Sequence, residues 1–211
     1  MQLLIKKRKQ NKKYDYSNNK IDRSNRTYLD YLVFKREHPG LFPLQMDFLG
    51  AIITDSNSIL TLTIPNLHFV LLFIVNNPNS SKIVKLFNEI ENVLGVNDFN
   101  KVIPYILTDR DPCFSNFIEI EFSHITGEQR THVFFCDSFT SCQKGNVENM
   151  NKQLRKFFKK ETSVDHYTKE EIKTINITIL KTRVASLNGF TPIEAFINVY
   201  GKHILDKLLN L

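Results

Sequence analysis

Three apolar segments follow one another almost without pause: Leu41–Ile53, Ser58–Ile64 and Leu67–Val75, the last two joined only by Pro65-Asn66. Strands separated by such short turns pair antiparallel, because a parallel return needs a crossover of a dozen residues or more. The expectation is an antiparallel three-stranded meander. The chain changes character after it. Asn79 or Ser80 caps a helix reaching Leu94 and stopped by Gly95, with Ile83, Leu86, Phe87, Ile90, Val93 and Leu94 on one face. Val102–Thr108 is nearly all apolar, as a strand buried on both sides should be.

An unassigned stretch leads to a fifth strand, His132–Cys136, and then to helices. These are Asn146–Phe158; Lys169–Ser186, with Thr168 and Glu171 as a capping box; and a last one opening at Thr191-Pro192, with Lys202–Leu209 continuing it. Upstream, Tyr28–Lys35 has helical spacing and ends at Pro39-Gly40. The order β-β-β-α-β-β-α-α-α predicts an α/β chain with a ribonuclease H-like fold. Its five-stranded mixed sheet is flanked by helices, strands one to three are antiparallel, and strand four runs parallel to strand one.

Charge divides the chain. Residues 1–26 hold nine Lys/Arg against two acids, so they exceed the net +6 of all 211 residues and leave the rest near neutral. They read as a basic flexible arm, solvated or touching nucleic acid, and 27–211 as the core with its C-terminal helices. Hydrophobic residues at 42% and charged residues at 24% exclude a disordered chain or a disulfide scaffold. Cys113, Cys136 and Cys142 form no CxxC pair and read as reduced thiols of a cytoplasmic protein. The 21 Asn against 3 Ala suggest a low-GC bacterial genome, because Asn codons are AT-rich. The longest apolar stretch, Ser58–Val75, is broken by Pro65, Asn66 and His68, so no membrane span is expected.

Three acids have surroundings unlike those of idle surface carboxylates. Asp47 interrupts strand one between Met46 and Phe48, where Asp is disfavoured. Asp109 directly follows strand four, and functional groups collect at the carboxyl ends of parallel strands. Glu148 opens a helix. Singly, each also reads as an edge acid, a turn acid and a helix-start acid. If strands one and four are neighbours, the three converge, and hard-oxygen ligands without a soft one suit Mg²⁺ or Mn²⁺, in a two-ion site. Downstream, Lys152, Arg155 and Lys159 follow Glu148 on one helical face, flanked by Lys156. Such a stripe suits a phosphate backbone; the alternative is a solvated face. The six histidines show no zinc spacing, and neither G-x-x-x-x-G-K-[ST] nor G-x-G-x-x-G occurs, so no nucleotide cofactor is expected.

The segment FCDSFTSCQKGNVENMNKQLRKFF (Phe135 to Phe158) resembles the signature of bacterial insertion-sequence transposases of the IS-thirty family. The likeness extends to LTDRDPCF at 107–114, to TRVASLNGFTPIEAF at 182–196 and, most weakly, to QMDFLG at 45–50. It implies a DDE-class, ribonuclease H-like core of the retroviral integrase type, with Asp47, Asp109 and Glu148 as catalytic and metal-binding acids. It also implies Mg²⁺ or Mn²⁺, DNA as partner (element ends and target), a homodimer or higher oligomer on DNA, and a place at the nucleoid. Lys144 of the QKG element joins Lys152, Arg155, Lys156 and Lys159 as expected DNA contacts. The chain departs from the family pattern after Asp109, where Arg110-Asp111 replaces Asn-Gly and Cys113 replaces a Glu. An end-binding helix-turn-helix is expected to be missing. Two alternatives stay open: a truncated, degenerate copy that binds DNA or a partner without catalysis, and a nuclease acting on RNA–DNA hybrids.

Overall fold

The computed structural model describes residues 21–49, 54–138, 140–159 and 162–211. The elements are α1 (Tyr28–Glu37), β1 (Leu44–Leu49), β2 (Asn57–Ile64), β3 (Phe69–Asn76), α2 (Ser80–Leu94), α3 (Val96–Val102), β4 (Tyr105–Thr108), α4 (Phe117–Glu121), β5 (His132–Phe135), α5 (Gly145–Leu154), α6 (Lys169–Leu180), α7 (Pro192–Tyr200) and α8 (Lys202–Leu208).

One sheet holds the strands in the order β3-β2-β1-β4-β5. β1, β2 and β3 are antiparallel; β4 runs parallel to both β1 and β5. This is the five-stranded mixed sheet that the order of periodic segments predicts. Hydrophobic residues of α2, among them Ile83, Phe87 and Ile90, pack with Met46, Ile59 and Ile106 of the sheet into the main core. On the opposite face α1 lays Tyr31 over Tyr105, Leu107, Phe134 and Cys136. Thr27 and Asp30 set the start of α1 by a reciprocal capping box.

Several boundaries differ from expectation for local reasons. Val102 ends a helix rather than starting a strand: Gly95, at φ 82°, closes α2 and opens α3, which buries Phe99 and Val102. Pro65–Leu67 forms a 3-10 turn with His68 left-handed at φ 49°, so β3 begins at Phe69. The unassigned stretch contains α4. Helix α6 stops at Leu180, and Gly201, at φ 87°, separates α8 from α7.

Both sheet edges are occupied. Asn176 of α6, buried, accepts from Leu72 N at 3.2 Å and donates to Val70 O at 2.7 Å, satisfying the outer backbone groups of edge strand β3. At the other edge Phe135 N donates to Arg26 O at 2.8 Å, and the Arg26 guanidinium pairs with buried Glu121 at 2.8 Å. The expectation of a basic arm over 1–26 falls mostly outside the described residues. Its last part, Arg23 and Arg26, lies against the core. Among the described residues no helix is long and apolar enough to cross a membrane.

Candidate active site

The register of the parallel pair β1–β4 sets Leu44 beside Ile106 and Met46 beside Thr108. One residue further, the period of two turns both chains to the opposite face, and Asp47 and Asp109 become neighbours there. The expected pairing of strands one and four is met by this register, which brings together two of the three acids expected to converge. The β1 backbone beneath them is pinned from both sides: Thr108 Oγ1 donates to Met46 O at 3.1 Å, and Thr61 Oγ1 donates to Asp47 O at 3.0 Å.

The third participant at this point is a cation. Lys144 Nζ lies 3.2 Å from Asp47 Oδ1 and 3.2 Å from Asp109 Oδ2. The loop that delivers it is tied by a reciprocal pair: Asp137 N donates to Gln143 Oε1 at 2.8 Å, and Gln143 Nε2 donates to Asp137 Oδ2 at 2.8 Å. Lys144 is the N-cap residue of α5, four residues before Glu148 in the same helix; the side chain of Glu148 lies outside the described ones. Lys144, expected as a DNA contact from its place in the QKG element, is thus engaged with the acids. It is 8% exposed and turned inward onto the acids.

Burial pushes the Asp47 carboxyl above its ordinary range; the Lys144 charge opposes this and the Asp109 charge adds to it. Burial, rather than repulsion between the two acids, is the main cause of this rise. For Lys144, burial alone would disfavour the ammonium, but the two carboxylates outweigh it and hold the pKa above its usual value. Two carboxylates aimed at one buried cation form an oxygen-only donor set of the kind a divalent ion takes. Among the described side chains no group of three His, Cys, Asp or Glu is placed around an ion.

Arg110, which the sequence sets beside Asp109, turns away. Its Nε donates to Cys136 O at 3.2 Å. Asp111 accepts from Cys113 N at 2.8 Å and starts a 3-10 turn, while its own N–H donates to Asp109 Oδ1 at 3.0 Å. The basic stripe is also modified. Helix α5 ends at Leu154, where i→i−3 bonds from Lys156 N and Phe157 N tighten the chain. The turn lets Phe158 bury against the core. Lys152, Lys156 and Lys159 are exposed, but Lys156 and Lys159 lie beyond the helix rather than on its face. The inward Lys144 had one signal in the sequence: it precedes Glu148 by four residues, a full turn, while the other expected contacts follow it.

Removing Lys144 isolates the charge of both acids. Lys144→Met is expected to lower metal-free stability by about 2 kcal/mol, less than the cost of breaking a fully buried pair because Asp109 is 45% exposed. The same change should tighten Mn²⁺ binding, since no ammonium competes for the carboxylates. Thermal melts with and without Mn²⁺ check both signs.

No family model matches the chain, and no curated protein does. Among solved structures the chain is similar to the catalytic core domain of BIV integrase, at TM-score 0.51 and 14% identity, over 75% of this chain and 95% of that one. At that identity the likeness establishes the fold: a mixed five-stranded sheet with flanking helices, of the integrase catalytic core, ribonuclease H-like type.

Proposed function

We propose that this chain is a DDE-type polynucleotidyl transferase domain that cleaves and joins DNA strands, a transposase of the kind its Phe135–Phe158 segment resembles. The observation that carries the reading is the convergence of Asp47 and Asp109 on one cation, beside the helix that bears Glu148. These three acids would hold Mg²⁺ or Mn²⁺. Such an ion, when bound, supplies Lewis-acid polarisation of a phosphodiester and charge stabilisation at the attacking and leaving oxygens. Asp47, half-buried, gives one arm of the donor set, and Asp109, at the open end of β4, gives the arm that faces substrate. In the reaction water attacks a phosphodiester at the element end and the bond to the 3′-oxygen breaks, leaving a 3′-OH and a 5′-phosphate; that 3′-OH then attacks a target phosphodiester, whose own bond to its 3′-oxygen breaks as the new bond forms. Lys152, Lys156 and Lys159 position the strand through phosphates, and the basic arm adds sequence-independent attraction.

A second reading, DNA binding without cleavage, is favoured by one specific contact: Lys144 already occupies the position between the two acids and offsets part of their charge. Two experiments separate the readings. Nicking of supercoiled DNA carrying the element ends is expected with Mn²⁺ and the full chain; binding without nicking supports the second reading. Charge reversal at Lys152, Lys156 or Lys159 should weaken DNA binding about equally across sequences, because phosphate contacts carry no base information. A loss confined to one sequence, seen by competition with unrelated duplexes, would show base readout instead.

A further inference from the structure

Two arginines outside the acid site stand at the same end of the sheet without an acidic partner. Arg23 lies in the segment held along the β5 edge by the Arg26 backbone, and its guanidinium covers the Phe135 ring at 4.7 Å. Arg110, the residue after Asp109, reaches the next position of that strand end through Cys136 O at 3.2 Å. The two guanidiniums thus approach consecutive residues, Phe135 and Cys136, from the edge and from the β4 turn. Among the described residues neither forms an ion pair.

Nearby acids are engaged elsewhere. Asp109 is bound to Lys144, Asp111 caps Cys113 N, Asp137 is tied to Gln143, and Asp22 accepts from Ser24. Arg23 Nε is buried without a hydrogen-bond partner. Burial, and then the charge of Arg110, lowers the pKa of Arg23. Two like charges held within reach of each other, one with an orphaned donor, are unfavourable until an anion sits between them. Guanidinium forks match phosphate oxygens in pairs.

We propose that Arg23 and Arg110 form a phosphate clamp for the DNA strand, gripping a backbone phosphate next to the one presented to Asp109. This rests on the reading of the chain as a DNA strand transferase and adds a contact outside its acid site. The clamp explains why an arginine is tolerated directly after Asp109: its side chain serves the substrate backbone rather than the acid.

The test is fluorescence anisotropy of a labelled mixed-sequence duplex with the full chain, Arg23→Gln, Arg110→Gln and the double variant, over a range of salt. Each single change is expected to weaken binding roughly tenfold, with the loss of a charge-assisted fork. Each should also reduce the slope of log affinity against log salt by about 1. Arg110→Lys should keep the slope and lose part of the affinity, because the charge stays and the fork goes. Millimolar orthophosphate at constant ionic strength should compete with DNA on the wild type and not on the double variant. An unchanged slope in the double variant overturns the proposal. So does a double variant that loses orthophosphate binding and keeps DNA affinity, since the site would then serve a free anion. Lys152→Glu distinguishes this failure from that of the functional reading. If Lys152→Glu weakens binding while the arginine variants do not, only the clamp falls; if the wild type binds no DNA, the functional reading falls with it.

Discussion

Replacing Asp47 or Asp109 by Asn, or Glu148 by Gln, is expected to reduce Mn²⁺-dependent DNA nicking at least about a thousandfold. A metal site contributes several kcal/mol of transition-state stabilisation, and each 1.4 kcal/mol is about tenfold in rate. The same changes should leave the metal-free fold intact, and Asp47→Asn should make it more stable at neutral pH. The sign follows from the raised pKa of Asp47, caused first by burial. An acid whose folded pKa lies above its unfolded value costs stability when ionised. That cost is present at neutral pH and disappears as pH falls through the raised folded pKa. The advantage of Asp47→Asn in thermal melts should therefore shrink toward the carboxylate range. An activity loss accompanied by a collapsed melting transition would point to a structural role for the acids.

The largest expected stability effect lies away from the site. Arg130 is 1% exposed and occupies the space between α2 and α4. It donates to Glu91 Oε2 at 2.7 Å, Asn88 Oδ1 at 2.8 Å, Ile120 O at 2.9 Å and Glu119 O at 3.2 Å, and it covers the Phe99 ring at 5.0 Å. Glu91 is itself fully buried, and its Oε2 also lies 2.6 Å from His124 Nδ1. Arg130→Ala leaves that carboxylate uncompensated and strips two carbonyls of their donor. The expected cost is about 3–5 kcal/mol. For a chain of this size each kcal/mol lowers Tm by about 2–4 °C. A double change, Arg130→Met with Glu91→Leu, removes the stranded charge and should recover much of the loss. Equal destabilisation of the single and double variants, measured by denaturant melts, would show that packing and not charge governs this site.

The parts of the fold that were legible in the sequence are those written locally. Asn79, Thr168 and Thr191 each accept the expected backbone N–H at a helix start, and the caps set by Thr168 and Thr191 close as reciprocal boxes. The order of the strands put β1 beside β4 in a ribonuclease H-like sheet, and with it Asp47 near Asp109; the register that makes the two acids direct neighbours is set by the structure. What was not legible depends on partners far along the chain. Periodicity put Val93 on the buried face of α2, yet Val93 is 38% exposed and Glu91 is buried. The reason is Arg130, 39 residues away, which supplies the counter-charge that lets a carboxylate enter the core. Lys144 meets Asp109 across 35 residues, and Arg26 meets Glu121 across 95. The early end of α5 likewise follows from burying Phe158, where helical spacing alone would have run on through Lys159.

In the proposed function Asp47 and Asp109 are a divalent-cation site whose place Lys144 holds in the metal-free chain. Calorimetric titration of Mn²⁺ into the full chain tests it most directly, with Lys144→Met and the double variant Asp47→Asn/Asp109→Asn alongside. Binding by the wild type, tighter binding by Lys144→Met, and none by the double Asn variant are expected. Equal binding by the double Asn variant, or no binding by either the wild type or Lys144→Met, would contradict this assignment.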